Sequence, residues 1–418
     1  MLRAMPLAPI FRLSPALLVF AALPLGAKTS ALLPLDGFAD GIHHWRNSHH
    51  TTEYPRLAPD HVVGIADHIL LYQRSNGGWR ENEDPLRILP PEEQTAIAAD
   101  RDKPDASLDN SATCPQIAYL AGAYQITGDA RYRDAALRGL DYLFAAQHAS
   151  GGWPHSFPNS EGYRGLITFA DAVTPNVLSL LREVAAGAGP FGWVEPPLRA
   201  RAAAAVERGN ACVLKLQIRQ GSRLTGWAGQ YNPDTLAPAL GRSFELPSIT
   251  SRESIDALLY LMSIERPSPE VVAAVEGAAA WLEASAITGW RLERFRAESV
   301  DYEYHTARDD VRLVRDAAAP RLWARFYDLE TNEPVLANRG GQRVGTFAEI
   351  ERERRTGYAW YGDWPETLLT RELPAWRTRI GAVAPWRRSG TRQRFDPLRS
   401  VDGLGGRRHI MSDTRAET

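Results

Sequence analysis

The chain has 418 residues, of which 44% are hydrophobic and 23% charged, with 48 basic and 50 acidic side chains. This apolar content suffices for a large core and excludes an intrinsically disordered protein. Residues up to position 380 carry 46 acids against 40 basic side chains, whereas the rest carries 8 Arg against 4 acids. An acidic body argues against a surface that coats nucleic acid, so we expect no nucleic-acid partner.

The first 27 residues have the pattern of a signal peptide. Basic residues precede an apolar run at positions 16–23, and small residues follow it. The run is too short to span a bilayer, and no later apolar stretch approaches twenty residues. We therefore predict a periplasmic or secreted protein that has no membrane contact once the signal is removed. A buried N-terminal helix is the alternative interpretation.

The two cysteines lie in apolar, helix-like stretches. Cys114 and Cys212 are either paired in a disulfide, as export permits, or buried as free thiols. No group of Cys and His residues has the spacing of a zinc site.

A repeat of 74 residues organises the chain. Three segments begin with Gln and end with Gly-Trp or Gly-Gly-Trp, and their tryptophans are Trp79, Trp153 and Trp227. Before each of them, apolar residues recur with a helical period, at 61–72, 131–144 and 198–216. A fixed period of this length indicates a repeated structural unit.

Further helices are predicted between these segments. Helix-start signals stand at Thr113 to Pro115 and Thr174 to Pro175, and a last pair of helices is predicted at 251–263 and 269–284. Two helices in each of three units predict an all-α (α/α)3 barrel or toroid. Extended loops and a few short strands are expected near the C-terminal third, where 291–314 is charged and extended or irregular. We assign 28–379 to this monomeric domain and 380–418 to a disordered, Arg-rich tail.

The Gly-Gly-Trp loops have two interpretations. Either the indole fills the end of the barrel, or its flat face stacks on a sugar. Trp79 is the candidate for the second role.

Two acidic residues precede predicted inner helices. Asp109 and Asp171 are 62 residues apart, close to one repeat, so both are expected at one mouth of the barrel. Two carboxylates and an amide oxygen are suitable ligands for Ca²⁺. The alternative is that both acids simply cap helices.

Two arginines in loops are further candidates. Arg242 lies just before a predicted helix. Arg339 precedes a Gly pair in a turn, and the glycines suit either close approach to a ligand or a plain β-turn.

Several motifs together resemble the family 10 pectate lyases, over about residues 36 to 379. In chain order they are Asp36-Gly37-Phe38, His43-His44-Trp45-Arg46, Tyr72-Gln73-Arg74, Gly77-Gly78-Trp79, Asp109-Asn110, Ala112-Thr113, Thr127-Gly128-Asp129, Arg131-Tyr132, Gly151-Gly152-Trp153-Pro154, Ile167-Thr168-Phe169 and Arg355-Thr356-Gly357-Tyr358-Ala359-Trp360-Tyr361. The resemblance implies an exported (α/α)3 enzyme that cleaves polygalacturonate by β-elimination to 4,5-unsaturated products.

The resemblance also implies roles for individual residues. Asp109 and Asp171 match calcium-binding acids, and Arg242 matches the Arg that binds the substrate carboxylate. Arg339 is the best match for an arginine base that removes the C5 proton, with Arg325 the second candidate. Arg325 is also assigned to substrate binding, together with Asn110 and Trp79. An arginine base requires alkaline conditions or a lowered pKa, so we expect a high pH optimum.

Three positions depart from the family pattern. Ala172 stands where relatives commonly have a second Asp, Glu81 follows the first Trp loop where they have Lys, and Gln116 replaces a frequent Glu. These changes keep two alternatives open, a barrel that only binds acidic oligosaccharide and a lyase for another uronan. Terpenoid cyclases use similar repeats, but this chain has no Asp-x-Asp-Asp run.

Overall fold

Helices dominate the fold. The computed structural model describes residues 32–303 and 305–381, so the predicted signal peptide and nearly all of the predicted tail lie outside the described residues. The helices of this part are α1 (Ala39–Ser48), α2 (Val62–Tyr72), α3 (Pro91–Ala99), α4 (Cys114–Thr127), α5 (Ala130–Ala146), α6 (Val173–Ala186), α7 (Pro196–Leu216), α8 (Ser251–Met262), α9 (Pro269–Ala284), α10 (Arg352–Gly357), α11 (Pro365–Thr367) and α12 (Leu373–Arg379).

Three helix pairs form the body of the toroid. α4 packs on α5, α6 on α7 and α8 on α9, and the first member of each pair also packs on the first member of the next. These inner helices bury apolar faces, such as Val177, Leu178 and Leu181 of α6, all of which are fully buried. α2 precedes the three pairs and packs on α4 and α5. The predicted all-α (α/α)3 architecture is confirmed.

The repeat tryptophans close the ends of the helix pairs. Trp79, Trp153 and Trp227 are buried. Each indole N–H donates to a carbonyl oxygen in the last part of the preceding helix, those of Ile69, Leu143 and Val213, at 2.7–2.8 Å. The indole thus supplies a donor for a carbonyl near a helix end, where helical partners run out.

The repeat glutamines join neighbouring units. The side-chain amide of each one donates to a carbonyl of its own loop and to a carbonyl of the next outer helix. The pairs of acceptors are Gly77 and Ala135 for Gln73, Gly151 and Ala205 for Gln147, and Thr225 and Ala274 for Gln217, all at 2.8–2.9 Å. The repeat motif is therefore a linking device between units.

Glycine is required inside the first two loops. Gly77 and Gly151 have φ of 95° and 103°. A Cβ there would lie 2.2 Å and 2.3 Å from the carbonyl oxygens of Arg138 and Arg208 in the next outer helix. Only glycine tolerates both this φ and so close an approach of another backbone, so any other residue at these two positions would disrupt the turn.

The strands are mostly two-residue pieces in two-stranded antiparallel sheets. They are β1 (Trp79–Arg80), β2 (Ala106–Ser107), β3 (Ile167–Thr168), β4 (Arg219–Gln220), β5 (Arg223–Leu224), β6 (Gln230–Tyr231), β7 (Ile249–Thr250), β8 (Trp290–Asp301), β9 (Thr306–Arg315), β10 (Trp323–Ala324), β11 (Phe326–Tyr327), β12 (Leu336–Ala337), β13 (Arg343–Val344) and β14 (Tyr361–Gly362). β1 pairs with β2, β3 with β6, β4 with β5, β7 with β11, β8 with β9, β10 with β14 and β12 with β13. Short strands thus also occur outside the C-terminal third.

The charged segment predicted to be extended forms a long hairpin of β8 and β9. The hairpin is fastened to α10 by arginines. Arg352 donates to the carbonyl oxygens of Glu298 and Asp309, and Arg355 forms an ion pair with Asp310 at 2.7 Å. Both strands of the hairpin lie largely at the surface, which accounts for the mixture of positive and negative side chains in this segment.

Both cysteines are free thiols. Cys212 is buried in α7, and Cys114 begins α4.

Among the described helices, none combines the length and the apolar character needed to cross a membrane.

The linking role of the glutamines is testable at Gln217. In Gln217→Met the carbonyl oxygens of Thr225 and Ala274 lose their buried donor, so we expect the free energy of unfolding to fall by about 1–3 kcal/mol. Equilibrium urea unfolding followed by circular dichroism measures it. The matched control is Gln342→Met at an exposed turn, which should change the free energy by less than about 0.5 kcal/mol. Equal effects of the two substitutions would contradict the assignment.

Candidate active site

Two short 3-10 turns, Asp109–Ser111 and Ala170–Ala172, contact each other beside the beginnings of α4 and α6. Each turn holds residues in the left-handed region, with φ of 47° at Asn110 and 49° at Asp171. Residues other than glycine rarely adopt this region, and such backbone is concentrated at functional sites. The structure thus brings Asp109 and Asp171 together at one mouth of the toroid.

The side chains of Asp109 and Asp171 are close enough to influence each other's pKa, and Asp171 helps to lower that of Asp109. Burial, together with the negative charge of Asp109, raises the pKa of Asp171 to about 7. Oδ1 of Asp109 has no hydrogen-bond partner among the described residues, although the residue is only 9% exposed. Asp109 is nearly buried, whereas Asp171 is exposed at the surface of the site. Two neighbouring carboxylates repel each other when both are ionised, so the pair favours a shared proton or a bound cation.

His155 is the third member of this cluster. Its Nε2 lies 3.0 Å from Oδ2 of Asp109, and its Nδ1 lies 2.7 Å from Oγ of Ser156. Burial would raise the pKa of Asp109, but the hydrogen bond and charge of His155 lower it below its usual range. In the same way burial would lower the pKa of His155, but Asp109 raises it. The pair therefore favours imidazolium next to carboxylate.

A hydrogen-bonded chain extends from His155 to Glu81. Oγ of Ser156 donates to Oγ of Ser107 at 3.4 Å, and Ser107 donates to Oε2 of Glu81 at 2.6 Å. Ligand atoms of Glu81, Asp109 and His155 lie within 4.8 Å of one another. Glu81, noted in the sequence only as a departure, is therefore part of the acidic cluster.

The sequence contained a signal for both residues. Glu81 follows Trp79 by two positions, and His155 follows Trp153 by two positions. The same offset from a repeat tryptophan brings both side chains into the cluster with Asp109. The equivalent residue in the third unit, Gly229, has no side chain.

Two arginines act electrostatically on the acidic pair. The charge of Arg242 is felt by both Asp109 and Asp171, and that of Arg325 is felt by Asp171. The guanidinium groups of Arg242 and Arg325 both lie over the ring of Tyr358, at 5.4 Å and 4.7 Å from its centroid. The structure thus brings these two predicted residues to the site.

Each of these arginines has its own glutamate. Arg242 pairs with Glu245 at 2.5 Å, and Arg325 pairs with Glu253 in the first turn of α8. Burial would lower the pKa of both guanidinium groups, but these carboxylates raise the pKa of each above its usual value. The side chain of Arg242 is 45% exposed, whereas that of Arg325 is 13% exposed. Arg242 is accessible at the mouth, and Arg325 lies deeper.

Arg339 occupies the predicted turn, between β12 and β13, where the N–H of Gly341 donates to the carbonyl oxygen of Asn338 at 2.8 Å. Its guanidinium pairs with Glu353 at 2.5 Å and lies 5.9 Å from the ring centroid of Phe244. Its carbonyl oxygen accepts a hydrogen bond from Ser243, next to Arg242. Arg339 is thus a neighbour of the Arg242 loop, and its charge is bound by Glu353.

Three other predicted or noted residues are placed as follows. Asn110 donates from Nδ2 to Oδ1 of Asn82 at 2.9 Å, which ties the Asp109 turn to the loop after Trp79. Trp79 is 1% exposed and presents no ring face to a sugar, so its predicted substrate contact is corrected in favour of the indole that fills the barrel end. Gln116 is buried in the first turn of α4.

Comparisons with known proteins agree with this architecture. The family model of the pectic acid lyases matches residues 73–369. A solved family 10 polysaccharide lyase from Cellvibrio cellulosa is 26% identical, with a TM-score of 0.62, over 84% of this chain and 99% of that chain. A mutant family 10 polysaccharide lyase from the same organism, in complex with trigalacturonic acid, is 25% identical, with the same TM-score and coverage. No curated protein sequence matches the chain.

The family model covers most of the chain, and the solved structures share its fold over nearly their whole length. The resemblance carried by the sequence motifs is thereby confirmed, and the chain belongs to the pectic acid lyase family as a polysaccharide lyase of the family 10 type.

Proposed function

We propose that the protein is exported and cleaves polygalacturonate by calcium-assisted β-elimination, giving 4,5-unsaturated oligogalacturonides. The observation that carries this proposal is the acidic pair Asp109 and Asp171, faced by Arg242 and Arg325 at one mouth of the toroid. The trigalacturonic acid held by the related Cellvibrio lyase supports an acidic polysaccharide as substrate.

The acidic pair fits a calcium ion. Oδ1 of Asp109 is a buried oxygen without a hydrogen-bond partner among the described residues, and the neighbouring Asp171 supplies a second carboxylate. Hard divalent cations prefer such oxygen ligands. When bound, Ca²⁺ would neutralise charge on the substrate carboxylate. The side chain of Ala172 offers no oxygen, so substrate and solvent oxygens would help to complete the shell.

Arg325 and Arg242 are assigned different roles in the reaction. The deep, Glu253-oriented guanidinium of Arg325 is suited to bind the carboxylate next to C5, because a planar guanidinium matches a carboxylate with two hydrogen bonds. That contact stabilises the negative charge that develops as the C5 proton leaves. Both guanidinium groups lie over the ring of Tyr358, which helps to hold them in position.

We assign the base to Arg242 in preference to Arg339. Arg242 is exposed at the mouth and its charge acts on both acids, whereas the guanidinium of Arg339 is paired with Glu353 and lies 5.9 Å from the ring centroid of Phe244. The deprotonated guanidine takes the C5 proton, and the C5–H electrons form the C4–C5 double bond. The bond from C4 to the glycosidic oxygen breaks, and that oxygen leaves with the departing chain and is protonated.

The central test concerns the acidic pair. We expect Asp109→Asn and Asp171→Asn each to lower kcat/KM on polygalacturonate at least about 100-fold, because charge stabilisation at the reacting carboxylate is lost. Ultraviolet absorbance of the unsaturated product measures turnover, and calorimetry measures the expected loss of Ca²⁺ affinity. Asp60→Asn, at an exposed position, is the matched control. Unchanged calcium dependence in the two variants would exclude both acids as calcium ligands; neither caps a helix, since Thr113 and Ala172 are the N-cap residues of α4 and α6.

The assignment of the base has its own test. We expect Arg242→Ala to lower kcat by about 1,000-fold or more, since it removes the group that accepts the proton. Arg339→Ala should lower kcat less than about 10-fold. The reverse order in single-turnover measurements would restore Arg339 as the base. Binding of polygalacturonate in affinity electrophoresis with no product from the wild-type protein would favour the alternative of a barrel that only binds.

The pH profile follows from the charge of Arg242. Because Glu245 raises its pKa, the deprotonated fraction stays small and grows about tenfold per pH unit below that pKa. We therefore expect kcat/KM to rise through the alkaline range without a plateau until the protein unfolds. In Glu245→Gln the pKa of Arg242 falls, so the rise should begin at lower pH. A plateau near neutral pH in the wild-type protein would exclude an arginine base.

A further inference from the structure

Three side chains around Asp109 bring a ring nitrogen and two carboxylates together. One ligand atom each of Glu81, Asp109 and His155 lies within 4.8 Å of the other two. His155 is 5% exposed and Asp109 is 9% exposed, so both are largely shielded from water. The reaction proposed above assigns no role to His155 or Glu81.

Paired backbone segments hold these three residues in place. Glu81 directly follows β1, which pairs with β2, and Asp109 lies two residues after Ser107 at the end of β2. Ser107 also forms a β-bridge with Ser156, the residue after His155. Functional side chains on such paired segments are positioned more precisely than side chains on free loops. The nitrogen and the two carboxylates are therefore arranged before any ion arrives.

Hydrogen bonds indicate which nitrogen of His155 carries a proton. Oγ of Ser156 donates to Oγ of Ser107 at 3.4 Å, and Ser107 donates to Oε2 of Glu81 at 2.6 Å. The single hydroxyl proton of Ser156 is thereby used, so its oxygen accepts from Nδ1 of His155 at 2.7 Å. With the proton on Nδ1, the lone pair of Nε2 is directed to Asp109.

A cation is required between Nε2 of His155 and Oδ2 of Asp109. The two atoms are 3.0 Å apart, and both are acceptors unless a proton or a metal ion lies between them. A tetrahedral Zn²⁺ ion with its usual bonds to imidazole and carboxylate separates these atoms by about 3.4 Å. An opening of about 0.4 Å therefore converts the hydrogen-bonded pair into a metal-bound pair.

The nitrogen distinguishes this group from the proposed calcium site. Ca²⁺ prefers oxygen ligands, whereas an imidazole nitrogen with carboxylates suits Zn²⁺ and similar transition-metal ions. Asp109 has an oxygen for each ion. Its Oδ2 faces His155, whereas its Oδ1 has no hydrogen-bond partner among the described residues.

The surroundings meet the other requirements of a zinc site. A metal-bound histidine usually donates its second ring N–H to an oxygen, and Ser156 is the acceptor for Nδ1 of His155. Two carboxylates and a neutral imidazole balance the charge of a divalent ion. Glu81 lines a cavity of about 360 Å³, which gives the ion a route from solvent and leaves a fourth ligand position for water.

We propose that Glu81, Asp109 and His155 bind a transition-metal dication, Zn²⁺ in particular, at a site separate from the calcium site but sharing the carboxylate of Asp109. The ion takes the place of the proton between His155 and Asp109, and that proton is released to solvent. The inference goes beyond the proposed function and requires no turnover of polygalacturonate. The spacing of Cys and His residues does not reveal such a site, because two of its three protein ligands are carboxylates.

Binding of metal ions to the full chain tests the site. The protein is freed of metal with a chelator, transferred to saturating Ca²⁺, and titrated with Zn²⁺ by calorimetry and with Co²⁺ by visible absorption. We expect one equivalent of each ion to bind, with the intense bands of four-coordinate Co²⁺. His155→Gln should weaken Zn²⁺ binding at least about 100-fold, since the nitrogen ligand is lost. His50→Gln, at an exposed position, is the matched control and should leave the affinity unchanged.

Two milder variants keep the test decisive if His155→Gln does not fold. Glu81→Gln removes a carboxylate ligand, and Ser156→Ala removes the acceptor that orients the imidazole. Each should weaken Zn²⁺ binding about 10- to 100-fold. The midpoint of thermal unfolding shows whether each variant is folded.

No binding of Zn²⁺ or Co²⁺ to the wild-type protein, or full affinity in folded Glu81→Gln and His155→Gln, would overturn the inference. Displacement of Co²⁺ by excess Ca²⁺ would also overturn it, as would the weak absorption of six-coordinate Co²⁺, because either result places the ion among oxygen ligands at the calcium site. The proposed function has its own readout, the unsaturated product formed from polygalacturonate with Ca²⁺ and without added Zn²⁺.

Discussion

The site depends on two neighbouring carboxyl groups, one nearly buried on Asp109 and one exposed on Asp171. Like charges at this distance repel, and burial adds a desolvation cost for Asp109. The fold keeps Asp109 and Asp171 together because each lies on a tight turn immediately before an inner helix, and the two turns contact each other. His155, Arg242 and Arg325 surround the pair with compensating positive charge. Because Glu245 and Glu253 neutralise the two guanidinium groups and Glu81 adds a further carboxylate, the cluster keeps a net negative charge and is receptive to a cation.

The toroid provides the rigidity that this arrangement requires. Its repeat loops contribute no chemistry directly, but each glutamine connects one unit to the next outer helix and each indole satisfies a carbonyl at a helix end. β1 follows the first repeat tryptophan and pairs with β2, directly before the Asp109 turn, with Trp79 opposite Ser107. The structural motif and the functional turn are therefore neighbours in one small sheet.

The sequence predicted the fold well because the architecture is periodic. The 74-residue spacing gave the unit, and the near-repeat separation of Asp109 and Asp171 placed both acids at one mouth. His155 and Glu81 were not predicted as site residues because they lie in the loops after the repeat tryptophans, outside the helical period that indicates the fold. The predicted role of Trp79 in substrate binding is wrong, because the sequence does not distinguish an aromatic ring that packs in the core from one that contacts a ligand.

The arginines were harder to place for another reason. Arg325 and Arg339 lie beyond the periodic part, where loops and short strands determine which guanidinium reaches the centre, and no spacing rule applies. The distinction came from their partners, since Glu253 orients Arg325 towards Asp171 whereas Glu353 holds Arg339. The side-chain partners of a loop charge emerge only from tertiary contacts.

The arginine-fastened hairpin of β8 and β9 has a consequence for the other end of the molecule. It is anchored to α10, which carries Glu353, and that carboxylate holds both Arg339 and Arg354 against Phe244, the neighbour of Arg242. The hairpin therefore acts as a buttress. A mutation far out on the hairpin is therefore able to loosen the Arg242 loop from a distance, through α10 and Glu353.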